Sequence, residues 1–244
     1  MELTGRVALV TGSTGRGIGR SIALTLAREG ADLVLNYETR PERAEAVRQA
    51  IEGMGRRVVL QQADVGTEAG ARSLYEAAVA GLGRVDILVV SAGGAWQPAD
   101  TVDLEPERWQ RVLAEEVHAP LYLIPPALRG MRERGWGRII LVAGEGTDDW
   151  PADAPLDYGL GKASRVWLTR ALAKREMGHG VTVNAIAPRT TPYVELSEAV
   201  VDVSKGEGWR DRTGARPQDA GEIAAWLCSE AARMVTGTVV EVGG

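Results

Sequence analysis

Tyr158 and Lys162 stand four residues apart in the run Tyr158-Gly-Leu-Gly-Lys162. A helix brings side chains at that spacing onto one face. A free phenol titrates near ~10, too high for a base at neutral pH. An ammonium ~4 Å away contributes roughly 4 kcal/mol at an effective dielectric near 20. That corresponds to about three pKa units before desolvation opposes it. The phenol can then exchange a proton with a substrate oxygen. The same spacing also suits a tyrosine and a lysine on a solvated helix face. A second constellation opens the chain: RVALVTGSTGRGIG, residues 6–19, with Gly12, Gly15, Gly17 and Gly19. A strand, a glycine-rich turn and a helix make a phosphate cradle. The glycines let the backbone approach a pyrophosphate, and the first helical N–H groups point at the anion. The alternative is a tight turn that only needs glycine.

The elements that must position these residues follow from periodicity. Arg6 to Val10 predicts the first strand, and Ile22, Ala23, Leu26 and Ala27 give the next helix its apolar face. Further strands are expected at 32–37, 57–61, 85–90, 138–142, 181–186 and 238–242. Thr39-Arg40-Pro41-Glu42 reads as a capping box opening a helix to Glu52. Thr67 to Ala80 is helical. Pro106 to Arg134 is a long helical region whose Pro120, Pro125 and Pro126 predict a kink or break. A helix from Asp157 to Met177 stops at Gly178, and a last helix spans Arg216 to Glu230. Residues 189–215 are weakly patterned. The alternation predicts an α/β fold: a single-domain, Rossmann-type, doubly wound parallel sheet of about seven strands, with helices on both faces. Ligands then sit beyond the carboxyl ends of the strands, near Thr11-Gly12, Asn36-Tyr37, Asp64, Ser91–Gly93, Ala143-Gly144 and Pro188.

Composition narrows the classes. Of 244 residues, 45% are hydrophobic and 25% charged, an ordinary globular mix that needs no disulfide staples. The single cysteine, Cys228, cannot form an internal bridge, so a reducing, cytoplasmic setting is expected. No apolar run approaches the ~20 residues that span a bilayer. Met1-Glu2-Leu3 leads straight into the first strand, with no secretory leader expected. A net charge of −5 without a basic block disfavours nucleic acid. His118 and His179 have no third partner, so no metal site is expected.

TGSTGRGIG at 11–19, Asp64-Val65, Ala92-Gly93, Tyr158 with Lys162, VNAIAP at 183–188 and the terminal TGTVVEVGG occur in this order. Through them the chain resembles the short-chain dehydrogenase/reductase family over essentially its whole length, closest in flavour to 3-oxoacyl-carrier-protein reductases. The resemblance implies that Tyr158 gives or takes a proton, assisted by Lys162, while a nicotinamide carries the hydride. It implies a dinucleotide site drawn from Gly12, Thr14, Arg16, Gly17, Ile18, Gly19, Asn36, Arg40, Asp64, Val65, Ser91, Ala92, Gly93, Pro188 and Thr191, with Tyr158 and Lys162. The pyrophosphate would lie on Gly17, Ile18 and Gly19. Asp64 would accept from the adenine amino group, or else act as a helix N-cap. NAD sites usually carry a carboxylate at the end of strand two, where this chain has neutral Asn36. Arg16 and Arg40 suit a 2′-phosphate, so NADP(H) is expected over NAD(H), with Glu38 against it.

The proton-relay positions depart from the family. Gly144, or Glu145 if the loop is shifted by one, stands where a serine would hold the substrate oxygen. By register from Trp109, Glu116 replaces an asparagine, unless it is simply an acidic residue on a solvated helix face beside Glu115. Arg189 replaces a glycine after strand six. Losing one oriented donor costs about 10²–10³ in rate, and Thr147, Ser91 or a water are the available replacements. Thr190 to Thr213 corresponds to the substrate lid, with Tyr193, Leu196, Val200, Val201, Val203 and Trp209. Trp96 and Trp150 are expected to border the cleft, or to pack under loops. The expected substrate is a small carbonyl or alcohol, and relatives imply a homo-oligomer, dimer or tetramer. Two alternatives stand beside this: a dinucleotide-binding pseudoenzyme acting as sensor or assembly partner, and a cofactor-free dehalogenase-like relative.

Overall fold

The computed structural model describes residues 2–94, 96–98, 100–144, 154–205 and 213–243. Seven parallel strands form one sheet in the order β3-β2-β1-β4-β5-β6-β7. They are β1 (Val7–Val10), β2 (Asp32–Tyr37), β3 (Val58–Gln62), β4 (Ile87–Val90), β5 (Gly137–Val142), β6 (Val181–Pro188) and β7 (Val239–Val242). The helices are α1 (Ile18–Arg28), α2 (Pro41–Glu52), α3 (Glu68–Leu82), α4 (Pro106–Leu113), α5 (Ala119–Arg134), α6 (Leu156–Glu176), α7 (Leu196–Ser204) and α8 (Pro217–Cys228). The order reverses direction between β1 and β4, and a crevice opens at such a switch point.

The central strands are apolar on both faces because helices cover both. Ala8, Val10, Leu33 and Leu35 pack with α1 and α8, while Val7, Leu9 and Val34 pack with α3 and α5. Continuous apolar runs such as ILVV in β4 are what burial on both faces demands.

Four local expectations change. Arg40, not Thr39, is the N-cap of α2; it sits at φ 65° and no side chain caps the helix. Thr67 rather than Asp64 caps α3, its side chain accepting from the Gly70 N–H. Gly180, at φ +71°, ends the turn after α6 in place of Gly178. The long helical region breaks before its prolines, at a π turn over Ala114–His118 that joins α4 to α5. Pro125 and Pro126 lie inside α5.

Candidate active site

Residues 11–19 fold as the cradle that the glycines require. Gly12 adopts φ +61°, and a Cβ there would lie 3.0 Å from the Ala92 backbone. A Cβ on Gly19 would lie 2.6 Å from the Gly12 carbonyl and 2.9 Å from Ser91 Oγ. The turn and the loop after β4 are thus in direct contact. Thr11 Oγ1 fastens them, accepting from the Ser91 and Ala92 N–H groups at 2.9 Å each. Gly17 is the N-cap of α1 and no side chain caps that end, which leaves the first amides to a ligand. Thr14 is buried in the turn.

Beside the cradle lies a cleft of about 790 Å³ whose walls include Gly12, Asn36, Asp64, Val65, Ala92 and Gly93. One Asp64 oxygen accepts from the Gly66 N–H at 2.9 Å. Glu38 and Glu115 also line it. Three of the expected residues have other partners here or stand off the cleft. Asn36 Oδ1 accepts from the Gly12 N–H at 3.2 Å and Nδ2 donates to the Ala63 carbonyl at 3.0 Å. Its carboxamide thus braces the turn from the cleft wall. Arg16 turns to Glu195, 2.9 Å away, because the segment after β6 is pinned there. Val194 N–H donates to the Arg16 carbonyl at 3.2 Å, and Arg20 donates to the Val194 carbonyl at 2.6 Å. Arg40 is exposed and does not line the cleft. Pro188 ends β6, and Thr191 is half-buried in the segment that follows.

Tyr158, Lys162 and Arg165 lie on one face of α6, at helical spacing i, i+4, i+7. Trp96 meets the Tyr158 ring edge-on, with centroids 5.4 Å apart and an interplanar angle of 79°. Lys162 Nζ lies 5.2 Å from the Tyr158 ring centroid, but its ion partner is Glu116, at 2.9 Å. Glu116 is fully buried. Its other oxygen lies 2.8 Å from Arg165 Nε, and its first also accepts from the Gly94 N–H at 2.9 Å.

The surroundings of Tyr158 oppose the expected lowering of its pKa by Lys162. Burial, then the Glu116 charge, pushes the phenol up to about 12. Burial pulls Lys162 down to about 8, against the opposing pull of Glu116. A carboxylate in contact with the ammonium takes up the charge that would otherwise stabilise a phenolate.

Backbone geometry explains why Glu116 and Arg165 meet. In the π turn, Ala119 N–H donates to Ala114, one residue beyond its helical partner Glu115. Pro120 has no N–H for the Glu116 carbonyl four residues back. Arg165 donates to both carbonyls, at 3.1 Å each, and to those of Val90, Ala92 and Val142. It ties the carboxyl ends of β4 and β5 to the π turn. Room for Glu116 comes from glycines. A Cβ on Gly161 would lie 2.7 Å from Glu116 Cβ, and one on Gly93 would collide with its carboxylate. Sequence reasoning missed Arg165; the signal was a cation three residues beyond Lys162 on the same face.

A seven-stranded parallel sheet, a glycine cradle at its switch point and a tyrosine–lysine face beside it now stand together. The profile described as enoyl-(acyl carrier protein) reductase matches residues 12–244. The chain belongs to the short-chain dehydrogenase/reductase family. Glucose 1-dehydrogenase 2 of Bacillus subtilis (strain 168) is 30% identical over 250 residues, covering 100% of this chain and 95% of that protein. D-beta-hydroxybutyrate dehydrogenase of Cupriavidus necator is 35% identical over 258 residues, covering 99% and 98%. A short-chain dehydrogenase from Burkholderia cenocepacia J2315, solved in complex with NADP, superposes with a TM-score of 0.85 at 27% identity, covering 99% and 98%.

Within this family member, Gly144, two residues past the end of β5, is buried and has no hydroxyl. Glu145, Thr147, Trp150 and Trp209 lie outside the described residues. Ser91 Oγ faces Gly19 in the cradle. Trp96 does border the site, against the Tyr158 ring. The helix-face alternative for Glu116 is excluded by its complete burial. In the expected lid, α7 covers 196–204 and carries Ala199 and Val203 into the core. Among the described residues, no three His, Cys, Asp or Glu cluster as a metal site, and no helix is long and apolar enough to cross a membrane.

Proposed function

We propose that this oxidoreductase interconverts a carbonyl and an alcohol, with Tyr158 exchanging the proton at the substrate oxygen. The observation that carries the reading is the Tyr158–Lys162 face, set against Trp96 at the carboxyl edge of β4 and β5. The cradle fits a nicotinamide dinucleotide. Gly12 and Gly19 leave room that a Cβ would fill, and the uncapped start of α1 offers amides to the pyrophosphate. When bound, the nicotinamide supplies or accepts the hydride. Asp64 and Val65 line the adenosine end, and Lys162 holds positive charge beneath the phenol.

NADP(H) is preferred over NAD(H) in this reading. Arg16 and Arg43 lie near enough for their charges to act on Arg20, and Arg40 stands exposed at the start of α2. The Arg16–Glu195 pair is exposed on both sides and worth under about 1 kcal/mol, so it yields to a phosphate. Glu38, on the cleft wall, limits the preference. The Burkholderia protein's complex with NADP supports the binding of a nicotinamide dinucleotide. A second reading, a dinucleotide binder without turnover, draws on Gly144, which offers no hydroxyl to the substrate. A panel of ketones and alcohols with NADP(H), run beside Tyr158→Phe, separates the two. Turnover lost in the variant supports the enzyme; binding without turnover supports the binder.

Assembly through α5 and α6 completes the proposal. Leu121, Leu160 and Trp167 are exposed there, and an apolar groove runs between the helices. A homo-oligomer is expected in solution; a monomeric mass at micromolar concentration contradicts it.

A further inference from the structure

We propose that Glu116, locked by Arg165, is a positioning residue that takes up the Lys162 charge and so keeps the Tyr158 phenol protonated to higher pH. The proposal rests on Tyr158 being the site's proton donor.

Three observations carry it. First, the carboxylate is engaged from three sides: Lys162 Nζ at 2.9 Å, Arg165 Nε at 2.8 Å and the Gly94 N–H at 2.9 Å. Second, it has nowhere else to go. It is fully buried, Gly93 and Gly161 close on it, and Arg165 is fixed by carbonyls from β4, β5 and the π turn. Third, Lys162 is nearly enclosed and donates otherwise to the Val142 carbonyl at 3.4 Å, so its ammonium is committed on the Glu116 side.

Among the described residues, the charges around the phenol can be taken element by element. The π turn presents Glu116, with Glu115 behind it. α6 presents Lys162 and Arg165; the loop after β4 presents the neutral Trp96 ring; the segment after β6 presents Tyr193. Arg165 shares its charge among carbonyl dipoles as well as Glu116, and Lys162 is matched by a carboxylate in contact. Burial then decides, and burial favours the neutral phenol.

The chemical consequence is a shifted pH range. In reduction, hydride would reach the carbonyl carbon from a bound nicotinamide dinucleotide. The Tyr158 O–H bond breaks, its proton goes to the carbonyl oxygen, and solvent restores the proton to the phenolate. A neutral phenol is the form required. Oxidation of an alcohol runs the same path backwards from the phenolate, so the Glu116–Lys162 pair raises the pH at which that form is available and leaves the carbonyl–alcohol equilibrium unchanged.

The test is a tyrosinate difference titration: ultraviolet absorbance of the protein minus that of Tyr158→Phe, as pH rises. Tyr158 is expected to ionise above the ~10 of a free phenol. Glu116→Gln, measured against Glu116→Gln/Tyr158→Phe, is expected to lower that midpoint by at least one pH unit. A midpoint below 10 in the unaltered protein overturns the proposal, as does an unchanged midpoint in Glu116→Gln. Should Glu116→Gln not fold, the unaltered protein's midpoint decides alone. None of these readouts needs turnover. Absent turnover with a high Tyr158 midpoint defeats the proposed function; turnover with a low midpoint defeats only this inference.

Discussion

The proposed cofactor side and the proposed proton side of this site are built by opposite means. Around β1 and α1, geometry comes from backbone. Gly12 and Gly19 permit close approach, and Asn36 and Thr11 brace the turn with neutral hydrogen bonds. Around α6 and the π turn, geometry comes from buried charge: Glu116, Lys162 and Arg165, with no serine hydroxyl at Gly144. Backbone cradles tolerate many side chains and fail when a Cβ enters. Charge clusters fail when one partner is removed, because the remaining charge is left buried.

That contrast can be broken at its strongest point first. Arg165→Met strands Glu116 opposite Lys162 alone and leaves five carbonyls without their donor. Removing one partner of a buried pair costs about 3–5 kcal/mol. Urea unfolding should show a loss of that size; a loss under about 1 kcal/mol would mean the cluster does not stabilise the fold. Gly19→Ala probes the other side. Its Cβ would lie 2.6 Å from the Gly12 carbonyl, and such overpacking costs roughly 1–3 kcal/mol. Weakened dinucleotide binding by fluorescence titration is expected, with Tyr158 ionisation unmoved. A shifted Tyr158 midpoint would show that the two sides are not independent. The smallest effect belongs to Arg16→Ala. Its guanidinium is 41% exposed, so loss of NADPH affinity relative to NADH should be about fivefold, under about 1 kcal/mol. Equal loss for both cofactors would remove Arg16 from the 2′-phosphate.

The same contrast governs what could be read from sequence. Apolar runs such as VALV and ILVV, separated by helical patterns, announced the sheet because burial on both faces leaves that signature. The glycine turn was legible for a related reason: only glycine fits Gly12 and Gly19. Arg165 was not legible, since an arginine on a helix ordinarily faces water. Its burial depends on carbonyls that the π turn and Pro120 leave without helical donors, a tertiary fact. Glu116 stood undecided between relay and surface until Gly93, Gly161 and Arg165 enclosed it. Asn36 was placed correctly at the end of β2, yet its amide faces inward, a choice of side-chain direction that residue type does not set.

The central claim is that Tyr158 moves the proton in dinucleotide-dependent carbonyl chemistry. Its most direct test is ketone reduction by NADPH at saturating cofactor, in the unaltered protein and in Tyr158→Phe, with the dinucleotide Kd measured in both. The account predicts that kcat falls by about 10²–10⁴ while Kd stays within about twofold. Equal kcat in the two proteins would contradict it.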